Sequence, residues 1–176
     1  LACAREAVAR DYGRRGITVD PSRIVLTTST SESYSWLFKL LCNASDHVLV
    51  PRPSYPLFEY LTKLEAVHAR PYDLDYDRHW AIDMASLEKA VTPQTRALVV
   101  VSPNNPTGSF ITREEHFQLM QFCKSHDLVL IADEVFVDYP LDERKERATD
   151  LALQETTLAF SLGGLSKSIG LPQAKL

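Results

Sequence analysis

The side chains in this sequence that could carry chemistry stand just beyond its apolar runs. Lys167 closes Gly163-Gly164-Leu165-Ser166-Lys167, and Asp133-Glu134 ends the run Leu128 to Ala132. Asn104 and Asn105 sit in Ser102-Pro103-Asn104-Asn105-Pro106-Thr107-Gly108, directly after Ala97 to Val101. Tyr55 lies in the proline-rich stretch after His47 to Val50, and the hydroxyl run Thr27 to Ser31 follows Ile24 to Leu26. A lysine amine can add to a carbonyl, and a carboxylate can hold a protonated ring nitrogen. An aromatic ring can cover a flat ligand, and a hydroxyl-rich helix N-terminus can hold a phosphate. Each residue also has an ordinary alternative: a surface lysine, a turn cap at Asp133, packing by Tyr55, and a simple helix cap in the Ser/Thr run.

Strands and helices in alternation must position these groups. Leu1, Ala4, Val8 and Tyr12 recur at helical spacing and predict a helix ending near Gly16. Ile24 to Leu26 predicts a short buried strand, and Glu32 to Cys42 a helix that the Ser/Thr run would cap. A strand at His47 to Val50, a helix at Leu57 to Leu64 and a weaker strand at Ala66 to Pro71 follow. Asp73 to Asp83 is expected to be a polar connection around Trp80, leading to a helix over Met84 to Val91 capped by Asp83. Ala97 to Val101 has no polar alternation, which predicts a strand covered on both faces. Thr112 and Glu115 have capping-box spacing for a helix reaching Cys123, and Leu128 to Ala132 is another covered strand. The charged stretch Leu141 to Thr149 is expected to be a solvated helix or loop, before a last strand at Leu158 to Leu162. This order predicts an α/β fold, three layers αβα around a mostly parallel sheet. Ligands of such sheets bind outside the carboxyl ends of the strands, where all the groups above would meet.

Composition narrows the partners. The 176 residues are 45% hydrophobic, enough for one sizeable core. A net charge of −4 gives no long-range reason to expect nucleic acid or an anionic membrane surface, so a small molecule is the expected partner. No apolar run reaches the ~18 residues of a spanning helix. Three widely spaced cysteines, Cys3, Cys42 and Cys123, show no metal-ligand spacing with histidine and fit a reducing cytosol. The expectation is a soluble cytoplasmic protein without a metal.

An acid for a pyridinium nitrogen, a lysine for a Schiff base, an aromatic cover and a phosphate cup are together the needs of pyridoxal 5'-phosphate. With Ser-Pro-Asn-Asn-Pro-Thr-Gly at 102–108, Ala-Asp-Glu-Val at 132–135 and Leu-Ser-Lys at 165–167, the chain resembles the large domain of class I/II aminotransferases of the aspartate aminotransferase fold, fold type I, over nearly its whole length. The resemblance implies that Lys167 is the Schiff-base lysine and proton shuttle, with Asp133 on the pyridine nitrogen. It also implies that Asn105 donates to the phenolate oxygen and Tyr55 stacks on the ring, while Ser29, Thr30, Ser166 and Lys175 hold the phosphate. The implied reaction moves an amino group between an amino acid and a 2-oxo acid. The implied assembly is a homodimer whose partner adds residues to the site.

The sequence departs from the family pattern at several of these places. Ser29 stands where glycine is usual, Gly164 where a serine often precedes the lysine by three residues, and Lys175 where many members have arginine. Phe136 replaces the usual tyrosine, removing one donor to the phenolate oxygen; Tyr139 could substitute only if its loop bends back. Residues 1–176 are expected to be part of the cofactor-binding large domain, incomplete at both ends, with the small domain and its carboxylate-binding arginine outside the chain. The strand that the resemblance places between Ile24–Leu26 and the strand ending near Leu162 would lie beyond Leu176. The chain is thus expected to be a piece of a longer polypeptide, or to pair with another, and to be inactive alone. The sequence leaves open a C–S lyase or decarboxylase on the same scaffold, or a non-catalytic ligand-binding remnant.

Overall fold

Apolar runs and helical periods alternate along the chain, and the computed structural model, which describes residues 2–140, 147–153 and 157–173, turns that alternation into layers. In order, the elements are α1 (Ala2–Arg14), α2 (Thr30–Leu41), β1 (His47–Arg52), α3 (Leu57–Leu64), β2 (His68–Asp77), β3 (His79–Ile82) and α4 (Met84–Ala90). They continue with β4 (Thr95–Val101), α5 (Arg113–Ser125), β5 (Val129–Asp133), β6 (Ala159–Leu162) and α6 (Leu165–Ser168). The strands form one sheet in the order β3-β2-β1-β4-β5-β6, parallel throughout except for the antiparallel β2–β3 pair.

The central strands are covered on both faces, as their unbroken apolar runs require. Along β4, Leu98 and Val100 join a core with Leu87 of α4 and Leu119, Met120 and Phe122 of α5. Ala97, Val99 and Val101 face the other way, into a core with Tyr34, Leu37 and Phe38 of α2 and Phe58 and Leu61 of α3. Each fully buried Leu or Val contributes roughly 1.5–3 kcal/mol, so a charged residue at either Leu98 or Val99 would open one of the two layers. The helix ends follow local chemistry. Ser29 Oγ accepts from the Glu32 amide, Asp83 from the Ala85 and Ser86 amides, and Thr112 with Glu115 forms a complete capping box.

Three sequence expectations are corrected. Ile24 to Leu26 is not a buried strand: it pairs with no strand among the described residues, and Val25 is 70% exposed. An apolar triplet becomes a strand only when a neighbour takes its backbone groups. The stretch from Asp73 to Asp83 is not a connection; β2 runs on to Asp77, Arg78 turns with φ 62°, and β3 returns with Leu74 opposite Ile82 and Tyr76 opposite Trp80. Asp75, Tyr76 and Asp77 are all exposed, so no in-and-out alternation marked the strand among the acidic residues. Residues 141–146 lie outside the described residues; of the rest of that charged stretch, Thr149 is exposed but Ala148 is packed, not solvated. Ala148 is buried and its amide donates to the Ile111 carbonyl at 2.8 Å.

Glu134 fastens the ends of the sheet's last strands. Its carboxylate, 4% exposed, accepts the Asp150 amide at 2.8 Å, the Leu151 amide at 3.3 Å and the Ser161 hydroxyl at 2.6 Å. Burial raises its pKa from an ordinary 4.5 to about 7; the Ser161 bond opposes this and the charge of Asp150 adds to it. The folded state therefore binds a proton between those values that the unfolded state has released. Its stabilising contribution is complete below the unfolded pKa and is lost as pH rises through the folded one. The expected outcome is a fall of about 3 kcal/mol from this group between pH 4.5 and 7, absent in Glu134→Gln. Urea unfolding of both proteins across that range checks it; parallel pH profiles would show that folding leaves the Glu134 titration unchanged.

Candidate active site

The register of the parallel strands brings the singled-out residues to one place. Val101 of β4 lies beside Asp133 of β5, and Asp133 beside Leu162 of β6, so their following loops leave the sheet side by side. A cavity of about 360 Å³ opens there, within the range of small-molecule sites. Lys167, Asp133, Asn105, Tyr55, Phe136, Ser166, Ser29 and Thr30 all line it. Lys175 lies outside the described residues.

Strand alternation decides which acid faces the cavity. Ile131 belongs to the core under α2 and α3, so Asp133, two residues on, points to that side; Ala132 belongs to the core under α4 and α5, and Glu134 follows it. Asp133 Oδ1 accepts from the Val135 amide at 3.2 Å and Oδ2 from the Tyr34 hydroxyl at 3.0 Å. Burial raises the pKa of Asp133, and these two donors pull it back.

The two asparagines divide their tasks. Asn104 is buried, with Nδ2 donating to the Pro53 carbonyl at 3.1 Å and to Thr107 Oγ1 at 2.9 Å. It ties the loop of Tyr55 to the turn after β4. Asn105, next in sequence, is exposed on the cavity wall. The turn closes through the Gly108 amide on the Asn104 carbonyl at 2.7 Å, with Gly108 at φ 71°, a left-handed conformation that favours glycine.

At the other wall, the start of α2 provides the polar lip. The first amides of a helix have no intrahelical acceptor. The Ser29 hydroxyl takes that of Glu32, while the Glu32 carboxylate takes the Thr28 amide at 2.7 Å and its hydroxyl at 3.0 Å. This leaves the amides of Thr30 and Ser31, beside the cavity, for another acceptor such as a phosphate oxygen.

Lys167 is carried by the one-turn helix α6, a feature the sequence reading did not anticipate. The loop after β5 does bend back onto it: the Tyr139 hydroxyl donates to the Lys167 carbonyl at 2.5 Å. That hydroxyl is thereby committed to backbone and does not replace the one missing at position 136. Phe136 instead faces the amine, with Lys167 Nζ 5.3 Å from its ring centroid. Tyr34 is the cavity residue that sequence reading missed. Its position in the helical stripe marks it as core, and its partner is 99 residues away.

The model of the family "Aminotransferase class I and II" matches residues 1–175, and the chain belongs to that family. It is 32% identical over 171 residues to the glutamate-pyruvate aminotransferase AlaA of Escherichia coli (strain K12), covering 96% of this chain and 42% of that protein. It is 40% identical over 146 residues to alanine aminotransferase 1 of Homo sapiens, covering 76% of this chain and 29% of that protein. Among solved structures, the alanine aminotransferase from Pyrococcus furiosus superposes with a TM-score of 0.83 at 26% identity, over 94% of this chain and 42% of that one. The chain thus spans less than half the length of these relatives.

Gly164, where relatives of the pattern described above often carry serine, has room for one. A Cβ there would meet Val135 Cγ1 at 3.7 Å and Ser166 Oγ at 4.0 Å, ordinary contacts. Gly164→Ser is expected to change stability by no more than about 0.5 kcal/mol while adding a hydroxyl to the cavity wall. Thermal unfolding checks this, and a larger loss would mean that the wall does not tolerate the added atoms.

Proposed function

We propose that this chain is the cofactor-binding part of a pyridoxal 5'-phosphate-dependent aminotransferase that exchanges an amino group between an amino acid and a 2-oxo acid. The names of the relatives point to alanine, glutamate and pyruvate as the substrate class. The observation that carries the reading is the meeting of Lys167, Asp133, Asn105, Tyr55 and the Ser29–Thr30 lip around one cavity. The donor set fits the cofactor: an amine, a largely buried carboxylate, aromatic walls and a helix N-terminus.

When bound, the cofactor supplies an electron sink for the pair left at the substrate α-carbon. In this reading Lys167 Nζ would be the amine that holds the cofactor and the base that moves the proton at the substrate α-carbon. Asp133, as an anion, would keep the ring nitrogen protonated. Asn105 would donate to the phenolate oxygen, Tyr55 and Phe136 would border the ring, and Ser29, Thr30, Ser166 and Lys175 would hold the phosphate. The wider reading is a large domain that works with a small domain and a second subunit, in the cytoplasm. No helix among the described residues is long and apolar enough to cross a membrane.

Borohydride reduction of the protein with pyridoxal 5'-phosphate, followed by peptide mapping, is expected to label Lys167 and no other lysine. Label elsewhere would sink the assignment. Asp133→Asn is expected to retain the cofactor yet lose on the order of a hundredfold in turnover, because a neutral partner no longer holds the ring proton. Steady-state kinetics beside a cofactor absorbance spectrum check it; near-normal turnover would give Asp133 another role.

A further inference from the structure

The Tyr34 ring is 3% exposed, 5.8 Å from Phe38 and edge-on to Phe58 at 5.2 Å, an environment that phenylalanine would also fill. The hydroxyl is what packing does not explain. Carrying it into the core costs hydration, which a bond to an ionised acceptor offsets and one to a neutral group offsets less. That acceptor is Asp133 Oδ2 at 3.0 Å. Burial and the nearby Asp133 charge raise the Tyr34 pKa well above its ordinary value, so the phenol remains a donor at any working pH. The other titratable groups around this cavity are Tyr55, from the loop after β1, and Lys167 of α6. Glu134 lies on the opposite side of the sheet, against Asp150, Leu151 and Ser161.

We propose that Tyr34 is a positioning residue for Asp133: its hydroxyl clamps one carboxylate oxygen, so that the group stays an anion with a fixed orientation at the cavity. Nothing in the clamp depends on a ligand, but its consequence for turnover rests on the function proposed above. The Val135 amide on Oδ1 and the Tyr34 hydroxyl on Oδ2 hold the carboxylate from two sides. Their shared effect is to offset burial, which favours the uncharged acid. The clamp also reaches the far wall. Tyr34 is one helical turn beyond Thr30 and Ser31, so one rigid element carries both the anion-accepting lip and the donor that orients the acid.

The test is Tyr34→Phe, read first on the full protein stripped of cofactor, by carbon-13 NMR titration of labelled aspartate with Asp133 assigned through Asp133→Asn. The Asp133 titration is expected to move up by roughly one unit, a tenfold change in its protonation equilibrium. Replacing Tyr34 by 3-fluorotyrosine, a stronger donor of nearly the same size, is expected to move it down, and covers the case in which the phenylalanine protein folds poorly. In the holoenzyme, Tyr34→Phe is expected to lower kcat roughly tenfold, more at lower pH, with KM little changed. An Asp133 titration unmoved by either replacement overturns the proposal and leaves Tyr34 as packing alone. A shift in both directions, in a protein whose Lys167 takes no borohydride label, upholds the clamp and overturns the aminotransferase reading.

Discussion

Everything at this site depends on a two-residue period at the end of one strand. Asp133 and Glu134 are adjacent acids at the carboxyl end of β5, and the pleat sends them to opposite sides of the sheet. One carboxylate enters the cavity beneath α2. The other enters the opposite core, where it gathers the Asp150 and Leu151 amides and Ser161. A register slip of one residue would exchange their surroundings, placing the stapling acid in the cavity and the cavity acid in the staple. The parallel pairing of Val101 with Asp133 and of Asp133 with Leu162 holds that choice in place.

The rest of the chain aims loops at this point. The β4 turn and the Tyr55 loop are joined by Asn104, and the loop after β5 is joined to the lysine turn by Tyr139. These ties run between loops, not from loop to ligand, so the cavity wall is built before anything binds. Asn104 Nδ2, the Val135 amide and the Tyr34 phenol hold its polar groups, while Asn104 Oδ1 is buried without a partner among the described residues. Such preorganisation spares a bound group the cost of ordering its surroundings.

Much of this arrangement was legible in the sequence because it rests on local rules. The bounds Leu57–Leu64, a cap from the Ser/Thr run before α2, the Asp83 cap, the Thr112–Glu115 box and the covered strand at Ala97–Val101 follow from period and cap chemistry alone. The meeting of Lys167, Asp133, Asn105 and Tyr55 follows from parallel topology. What escaped reading needed a partner distant in sequence. Ile24 to Leu26 looked like a strand, but nothing beside it takes its hydrogen bonds among the described residues. The β2–β3 hairpin was hidden among exposed acidic residues, and Tyr34 was not singled out because only its distant partner Asp133 reveals what its hydroxyl does.

The position of β6 has a consequence for motion. It is four residues long and lies at the margin of the sheet, with β5 as its only strand neighbour among the described residues. For residues 1–176 taken alone, backbone protection against solvent exchange should therefore decline from β4 toward both margins of the sheet, with β6 opening at lower free-energy cost than β5. Lys167 rides five residues beyond the end of that strand. Among the described residues Lys167 thus follows a marginal strand, whereas Asp133 ends a strand paired on both sides.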